Sequence, residues 1–436
     1  MTARIVSRRA ALAALGCASL ASALGRVSYG GRLRLAVPWP ISSLDPAQLN
    51  DGFSALFAGA AFDPLYGLDA AGEPYPALAD GLPSKVPEGA RLTLRPGLKT
   101  AAGRALGGAD VLATLARARA RGASGLLGEL EPPELDARDP LSLLFRRAAP
   151  DALARTLASP LLALVPRGFS PLAPDGSGAF RVELAPGRAL LTRNLNAARG
   201  PAYLDAVEVT SVSDVAELLR GFESGATDVG WFGAGLYRSV KDAVAFESPR
   251  YGFAVLLPGK AAGAWAAPGT LQPLLDALPA AQLAHLGVRG LPATASGSAR
   301  WGGPATNLVV LASAPQLVAV ARAIAAALST PGHELRVTEK TAEELAALRE
   351  SRTFGLMVDC VRAPGSSERE LELVLRTAAS PEAAKRSPKT APLPARELGR
   401  QLALGVIGEL SVYGSRRAAL QGVESWQLGA VSLAKV

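Results

Sequence analysis

The residues from Leu33 to Tyr66 leave few choices of local structure. Leu33, Leu35 and Val37 alternate with Arg34 and Ala36, the period of a half-buried strand. Pro38 and Pro40 end that strand, because proline cannot donate to a sheet ladder. Asp45-Pro46 turns the chain, and Phe53, Leu56, Phe57, Ala60 and Ala61 follow at helical spacing. A strand, a loop and a helix in this order put the loop at the strand's carboxyl end, where open α/β sheets hold small ligands. The loop carries Trp39, Ser42 and Ser43.

A chain of 436 residues has room for several domains. With 49% hydrophobic and 19% charged residues it reads as globular, with a large core. The 45 glycines and 33 prolines predict many turns. Net charge is +8, and a leader ending near Ala23 would remove Arg4, Arg8 and Arg9, leaving +5. The other arginines are scattered, and the 5% of aromatics do not interleave with them, which argues against nucleic-acid binding. Of the two cysteines, Cys17 falls in the leader, so only Cys360 would stay and no intramolecular disulfide is expected.

The amino terminus reads Ser7-Arg8-Arg9-Ala10, then an alanine-rich apolar run, then Ala21-Ser22-Ala23. Charge, apolar segment and small residues in this order predict an export signal over 1–23, of twin-arginine type. The run is too short to span a bilayer comfortably. Cys17 leaves a lipoprotein anchor open. The uncharged stretch from Trp301 to Ala321 is broken by Pro304, Asn307, Pro315 and Gln316, and reads as a buried strand and helix.

Further elements follow in order. Arg91 to Arg95 alternates as a strand before Pro96-Gly97, and Asp110 opens a helix. Val207–Val209, a helix from Val215 to Phe222 capped by Ser213, and Thr227–Trp231 form a β-α-β unit. Strands at Asn307–Leu311, Glu334–Thr338 and Phe354–Asp359 alternate with helices at Gln316–Leu328, after Thr341 and after Ser367, which predicts a parallel sheet. Pro381 to Pro394 reads as a surface loop.

Enzyme chemistry is hard to place. His285 and His333 are the only histidines, and no metal-ligand spacing, Gly-x-Ser-x-Gly elbow or phosphate loop occurs. Gly233-Ala234-Gly235 is a bare Gly-x-Gly, and Ser177 sits in a turn. No enzyme activity, cofactor or metal is expected.

Several spaced motifs carry a resemblance: Ser43-Leu44-Asp45-Pro46-Ala47, Phe62-Asp63-Pro64-Leu65, Ala77-Leu78-Ala79, Leu94-Arg95-Pro96-Gly97-Leu98-Lys99, Gly176-Ser177-Gly178-Ala179-Phe180 and Gly200-Pro201-Ala202-Tyr203-Leu204-Asp205. Together they resemble the family 5 extracellular solute-binding proteins, the substrate receptors of peptide, nickel and related uptake transporters. The resemblance implies an α/β fold of the periplasmic-binding-protein type II-like class. It implies two hinged lobes of mixed sheets flanked by helices, plus an extra small α+β domain. Lobe I would comprise 32–66, 168–255 and 405–436, the small domain 67–167, and lobe II 256–404. It further implies a monomer in the periplasm or otherwise outside the cytoplasm. That monomer would capture a small solute, peptide-like by analogy, and deliver it to an ABC permease in the inner membrane.

On this resemblance the ligand walls are Trp39, Ser42, Ser43, Trp231 and Phe232 from lobe I and Trp301, Asp359 and Arg362 from lobe II. Aromatic faces would supply contact area, and the Asp and Arg would clamp charged ends. One departure bears on specificity. Peptide-binding relatives carry an aspartate for the ligand's amino terminus, and Val361-Arg362-Ala363-Pro364-Gly365 has proline where it would fall. A non-transport scaffold or sensor on the same fold is the alternative, and an exported hydrolase a third reading.

Overall fold

The computed structural model describes residues 29–433 apart from 121–122, 129, 213, 232–241, 279–282, 285, 287, 291–299, 364–366, 381–382, 384–390 and 412. The leader with Cys17, Ser213, Phe232, Gly233-Ala234-Gly235, His285, Pro364-Gly365 and most of the loop before Pro394 therefore lie outside the described residues.

Strand β1 (Arg32–Val37) buries Leu33, Leu35 and Val37, as its alternation predicts, and Ala36 as well. Helix α1 (Gly52–Ala61) starts at Asp51, whose carboxylate accepts from the backbone N–H of Phe53 and Ser54. Its apolar stripe is buried, and Phe53 stacks on Phe57 at 4.8 Å between ring centres. Burying one such ring contributes roughly 1.5–3 kcal/mol. Where α1 ends, the Gly176-Ser177-Gly178 turn docks on it. Gly178 N–H donates to Ala61 O at 2.9 Å, and the Ser177 hydroxyl donates to Asp63 at 3.0 Å. The two backbones lie so close that a Cβ at Gly178 would come 2.5 Å from the Ala61 carbonyl carbon, and one at Gly176 2.2 Å from its oxygen. Two motifs more than a hundred residues apart are thus halves of one joint.

The small domain follows. Its four-stranded sheet contains Gly89–Thr93 and Ser142–Arg146, packed with helix α2 (Gly108–Ala120). The chain then returns through β2 (Phe180–Ala185), β3 (Arg188–Arg193), β4 (Ala206–Ser211), α3 (Val215–Glu223), β5 (Val229–Trp231) and β6 (Ala243–Glu247). Asp214 caps α3 by accepting from Ala216 N–H, one residue later than the cap expected at Ser213.

A second unit contains β7 (Gly252–Pro258), β8 (Val288–Gly290), β9 (Thr306–Leu311), α4 (Pro315–Leu328), β10 (Leu335–Lys340), α5 (Ala342–Ser351), β11 (Leu356–Arg362), α6 (Glu368–Ala379) and β12 (Gly405–Leu410). Thr341 and Glu344 close a full capping box on α5, and Ser367 caps α6. The last long strand, β13 (Tyr413–Arg417), goes back to the first unit.

The first sheet is seven-stranded, in the order β6-β13-β5-β1-β4-β3-β2. The second is six-stranded, β8-β12-β7-β11-β9-β10, with β9 parallel to both β10 and β11. So β1 and β13 share a sheet, separated by β5 alone. Two strands fall on the other side of the boundaries drawn from sequence. Residues to 255 and from 405 were expected with the first lobe, yet β7 and β12 pair with each other in the second sheet. Hydrophobic pattern predicts that a strand exists, and pairing decides which sheet it joins.

The units are joined where β6 leads into β7 and β12 leads into β13. Glu247 pairs with Tyr413 on one side of the junction, Gly252 with Leu410 on the other, and Tyr251 N–H donates to Leu410 O at 3.0 Å between them. The chain thus crosses between the sheets twice at neighbouring places, and the strands flanking both crossings are paired. Arg250 pairs with Glu409 at 2.7 Å, and Arg289 of β8 with Glu247 of β6, beside the same junction.

Replacing Gly178 by Ala is expected to cost about 1–3 kcal/mol, the usual penalty for overpacking, without changing secondary structure. Urea unfolding followed by circular dichroism checks it.

Candidate functional site

Both faces of β11 are buried along its whole length, yet it carries Asp359 and Arg362. A charge in such a place needs partners. Asp359 has four. Its two oxygens accept from Arg349 Nε at 2.8 Å and Nη2 at 2.6 Å, from Asn50 Nδ2 at 3.1 Å and from the Cys360 N–H at 2.8 Å. Arg349 comes from α5 of the same unit, and Asn50 from the loop before α1 in the first unit. Asn50 also donates to Cys360 O at 2.8 Å. An amide of one lobe is thus bonded to a strand of the other.

Around this ion pair lies the cavity between the two units. From the first it is lined by Trp39, Pro40 and the Asn50-Asp51-Gly52 turn. Tyr251 stands at the junction, and from the second unit come Gln316, Arg349, Asp359 and Cys360. Trp39 meets the Tyr251 ring edge-on at 5.7 Å, and Tyr251 Oη donates to Gln316 Oε1 at 3.3 Å. Burial raises the Asp51 carboxyl and the Cys360 thiol above their ordinary values, so Cys360 stays a thiol at neutral pH. The cavity volume is about 30 Å³. One water needs about 10–15 Å³ on the same kind of measure, and drug-sized ligand sites run to about 300–1,000 Å³. As lined by the described residues, this cavity has room for a water or two.

Arg362 lies beyond the cavity. Its Nη1 donates to the carbonyls of Asp45, Pro46 and Gln48 at 3.3, 2.7 and 3.2 Å, and its own N–H donates to Leu49 O at 2.8 Å. Burial pushes its guanidinium down to about 10, still charged at neutral pH. The side chain of Asp45 is held in turn by Arg117 of α2, at 2.8 Å through Nη1. The 45–50 loop therefore ties the first unit to the small domain and to the second unit at once. Ser159 adds a hydroxyl bond to Glu370 of α6.

Two residues expected at a ligand wall, Trp39 and Asp359, are brought to the cavity, and others are placed elsewhere. Ser42 is exposed and Ser43 half-buried, both outside the lining. Trp301 is 1% exposed, its indole N–H on Pro304 O at 2.9 Å and its ring 4.6 Å from that of Trp265. It belongs to the core of the second unit, because an apolar face with one satisfied N–H packs well there. Arg362 grips backbone rather than open space. Trp231 ends β5 opposite Gly414, and its side chain, like Phe232, is outside the description. The sequence reading did not single out Asn50, Tyr251, Gln316 or Arg349. Arg349 sits on a mostly exposed helix, where a charge reads as solvated, and Asn50-Asp51-Gly52 reads as a helix start.

Among the described residues no group of three or more His, Cys, Asp or Glu could hold a metal ion, and no helix is long and apolar enough to cross a membrane.

Arg349→Ala is expected to destabilise the protein by about 3 kcal/mol, because Asp359 is left buried and unpaired. Replacing both Arg349 and Asp359 by Leu is expected to recover much of that loss. A double-mutant cycle in urea measures the difference.

No protein-family model matches the sequence, and no curated protein sequence matches it at a significant level. Solved structures do match over nearly the whole chain. The oligopeptide-binding protein AppA from Bacillus subtilis, in complex with a nonapeptide, superposes with a TM-score of 0.70 at 13% identity, over 94% of this chain and 100% of that one. The ABC transporter-associated periplasmic binding protein DppA from Helicobacter pylori, in complex with the peptide STSA, gives 0.69 at 15%, over 94% and 99%. NikA from Brucella suis, in complex with Fe(III)-EDTA, gives 0.63 at 15%, over 92% and 100%. This chain therefore has the fold of these binding proteins, mixed α/β and of the periplasmic-binding-protein type II-like class.

Proposed function

We propose that the protein is an extracytoplasmic solute-binding receptor of family 5 type, capturing a small solute between its lobes and passing it to an ABC permease. It would work as a monomer without covalent chemistry. The observation that carries this reading is the pair of neighbouring crossings between two sheets, beside a cavity lined by Trp39, Tyr251, Asn50, Gln316, Arg349 and Asp359. Short crossings between two sheets are the kind of place where a hinge lets two lobes open and close on a ligand. Structures of the same fold hold peptides and a metal chelate, which supports a polar solute of that size range.

In the closed form Asp359 has no free acceptor geometry for a solute, since Arg349, Asn50 and Cys360 use it. A solute must therefore enter an opened cleft and displace Asn50 or Arg349. The absence of an aspartate at the position of Pro364 disfavours a peptide gripped by its amino terminus.

The small size of this cavity among the described residues also favours a second reading, a scaffold or sensor that keeps this fold and has lost transport. The two separate by experiment. A ligand at a hundred times its Kd stabilises by about 2.7 kcal/mol, which a thermal scan detects. The receptor reading expects one class among peptides, amino acids and metal chelates to raise the melting temperature. It is overturned if none does while small-angle X-ray scattering shows a permanently closed particle.

A further inference from the structure

Arg362 is a fully enclosed charge with one unsatisfied donor. It is 1% exposed, and its Nε is buried with no hydrogen-bond partner. The other observed bonds of its guanidinium all converge on one nitrogen, from three carbonyls of a single turn, Asp45, Pro46 and Gln48. Three carboxylates, Asp51, Asp45 and Glu370, favour positive charge at this point. Each has another task. Asp51 caps α1, Asp45 is held by Arg117, and Glu370 accepts from Ser159. None forms a direct ion pair with Arg362. The guanidinium is thus held through one nitrogen by three carbonyl oxygens with carboxylates nearby, and those carbonyls and the cation come from opposite units.

We propose that the Asp45–Gln48 turn, with Asp51 and Glu370, is a pocket for a guanidinium or ammonium group, which this chain fills with its own Arg362 and thereby holds the two units shut without a solute. The pocket adjoins the cleft cavity, with which it shares Asp51 but whose lining does not include Arg362. It goes beyond the receptor reading and stands without it. A purely structural arginine would fill space and satisfy carbonyls. A tethered cation can be replaced by a free one of the same shape. Guanidinium suits the place because its planar fork offers several donors at fixed angles, whereas an ammonium presents one compact charge.

The experiment is chemical rescue of the full chain. In Arg362→Ala the missing atoms beyond Cβ are those of ethylguanidinium. The variant is expected to melt at lower temperature and to show a larger radius of gyration by small-angle X-ray scattering. Millimolar ethylguanidinium is expected to restore most of both losses, neutral ethylurea neither, and wild type is expected to respond to neither compound. The proposal is overturned if Arg362→Ala keeps the wild-type radius, or if ethylguanidinium shifts it no more than ethylurea does. Arg362→Lys decides the matter should the alanine variant fail to fold with either compound. A compact lysine variant melting between the two supports the cation pocket, and an expanded one rejects it.

Discussion

Burial of β11 on both faces sets terms that the rest of the molecule meets. A strand enclosed by α-helices and by neighbouring strands tolerates a carboxylate and a guanidinium only if other elements come to them. Asp359 draws Arg349 from α5 and Asn50 from across the cleft. Arg362 draws the 45–49 backbone, and through Asp45 the small-domain helix α2. Three parts of the chain, far apart in sequence, thus meet at the 45–50 loop. That loop is also the connection between the first strand and the first helix, so its placement follows from the earliest local structure in the chain.

The hydrophobic cores follow the same geography. One apolar cluster runs from the first sheet and α1 across one face of the second sheet to α4. The other runs from the small domain across the opposite face to α6. The short helix Ser124–Leu127 lies against α6. Closure is therefore supported by apolar contact on both sides of β11 and by polar bonds at its end. A receptor built this way would have a closed state of substantial intrinsic stability, and any solute would compete with contacts the protein already makes.

Elements with a local cause were legible in the sequence. Alternation marked β1, helical spacing marked α1 and α4, and the Thr341 and Ser367 caps were readable because a cap and its bond lie three residues apart. The glycines at 176 and 178 were visible as a motif, but their reason, contact with Ala61, lies in the fold. Partner choice was not legible. Nothing in Gly252–Pro258 or Gly405–Leu410 says which sheet they join, since buried strands look alike from either side. Asp359 and Arg362 were singled out as a ligand clamp because the residue types suit one. The same types suit internal pairing equally well, and only position separates the two. Trp301 fails for the same reason, since a tryptophan in a core and one in a binding wall read identically. Arg349 was overlooked because helix exposure hides a residue that turns inward.

The joint between the two sheets has a mechanical consequence. A single tether would let one body swivel freely on the other. Here the chain crosses twice at neighbouring places, with Glu247 paired to Tyr413 on one side and Gly252 to Leu410 on the other. Two adjacent links, anchored in paired strands at both ends, oppose such swivelling more than one link would. Twist of one body on the other is therefore resisted at the joint itself, before any contact across the cleft is counted.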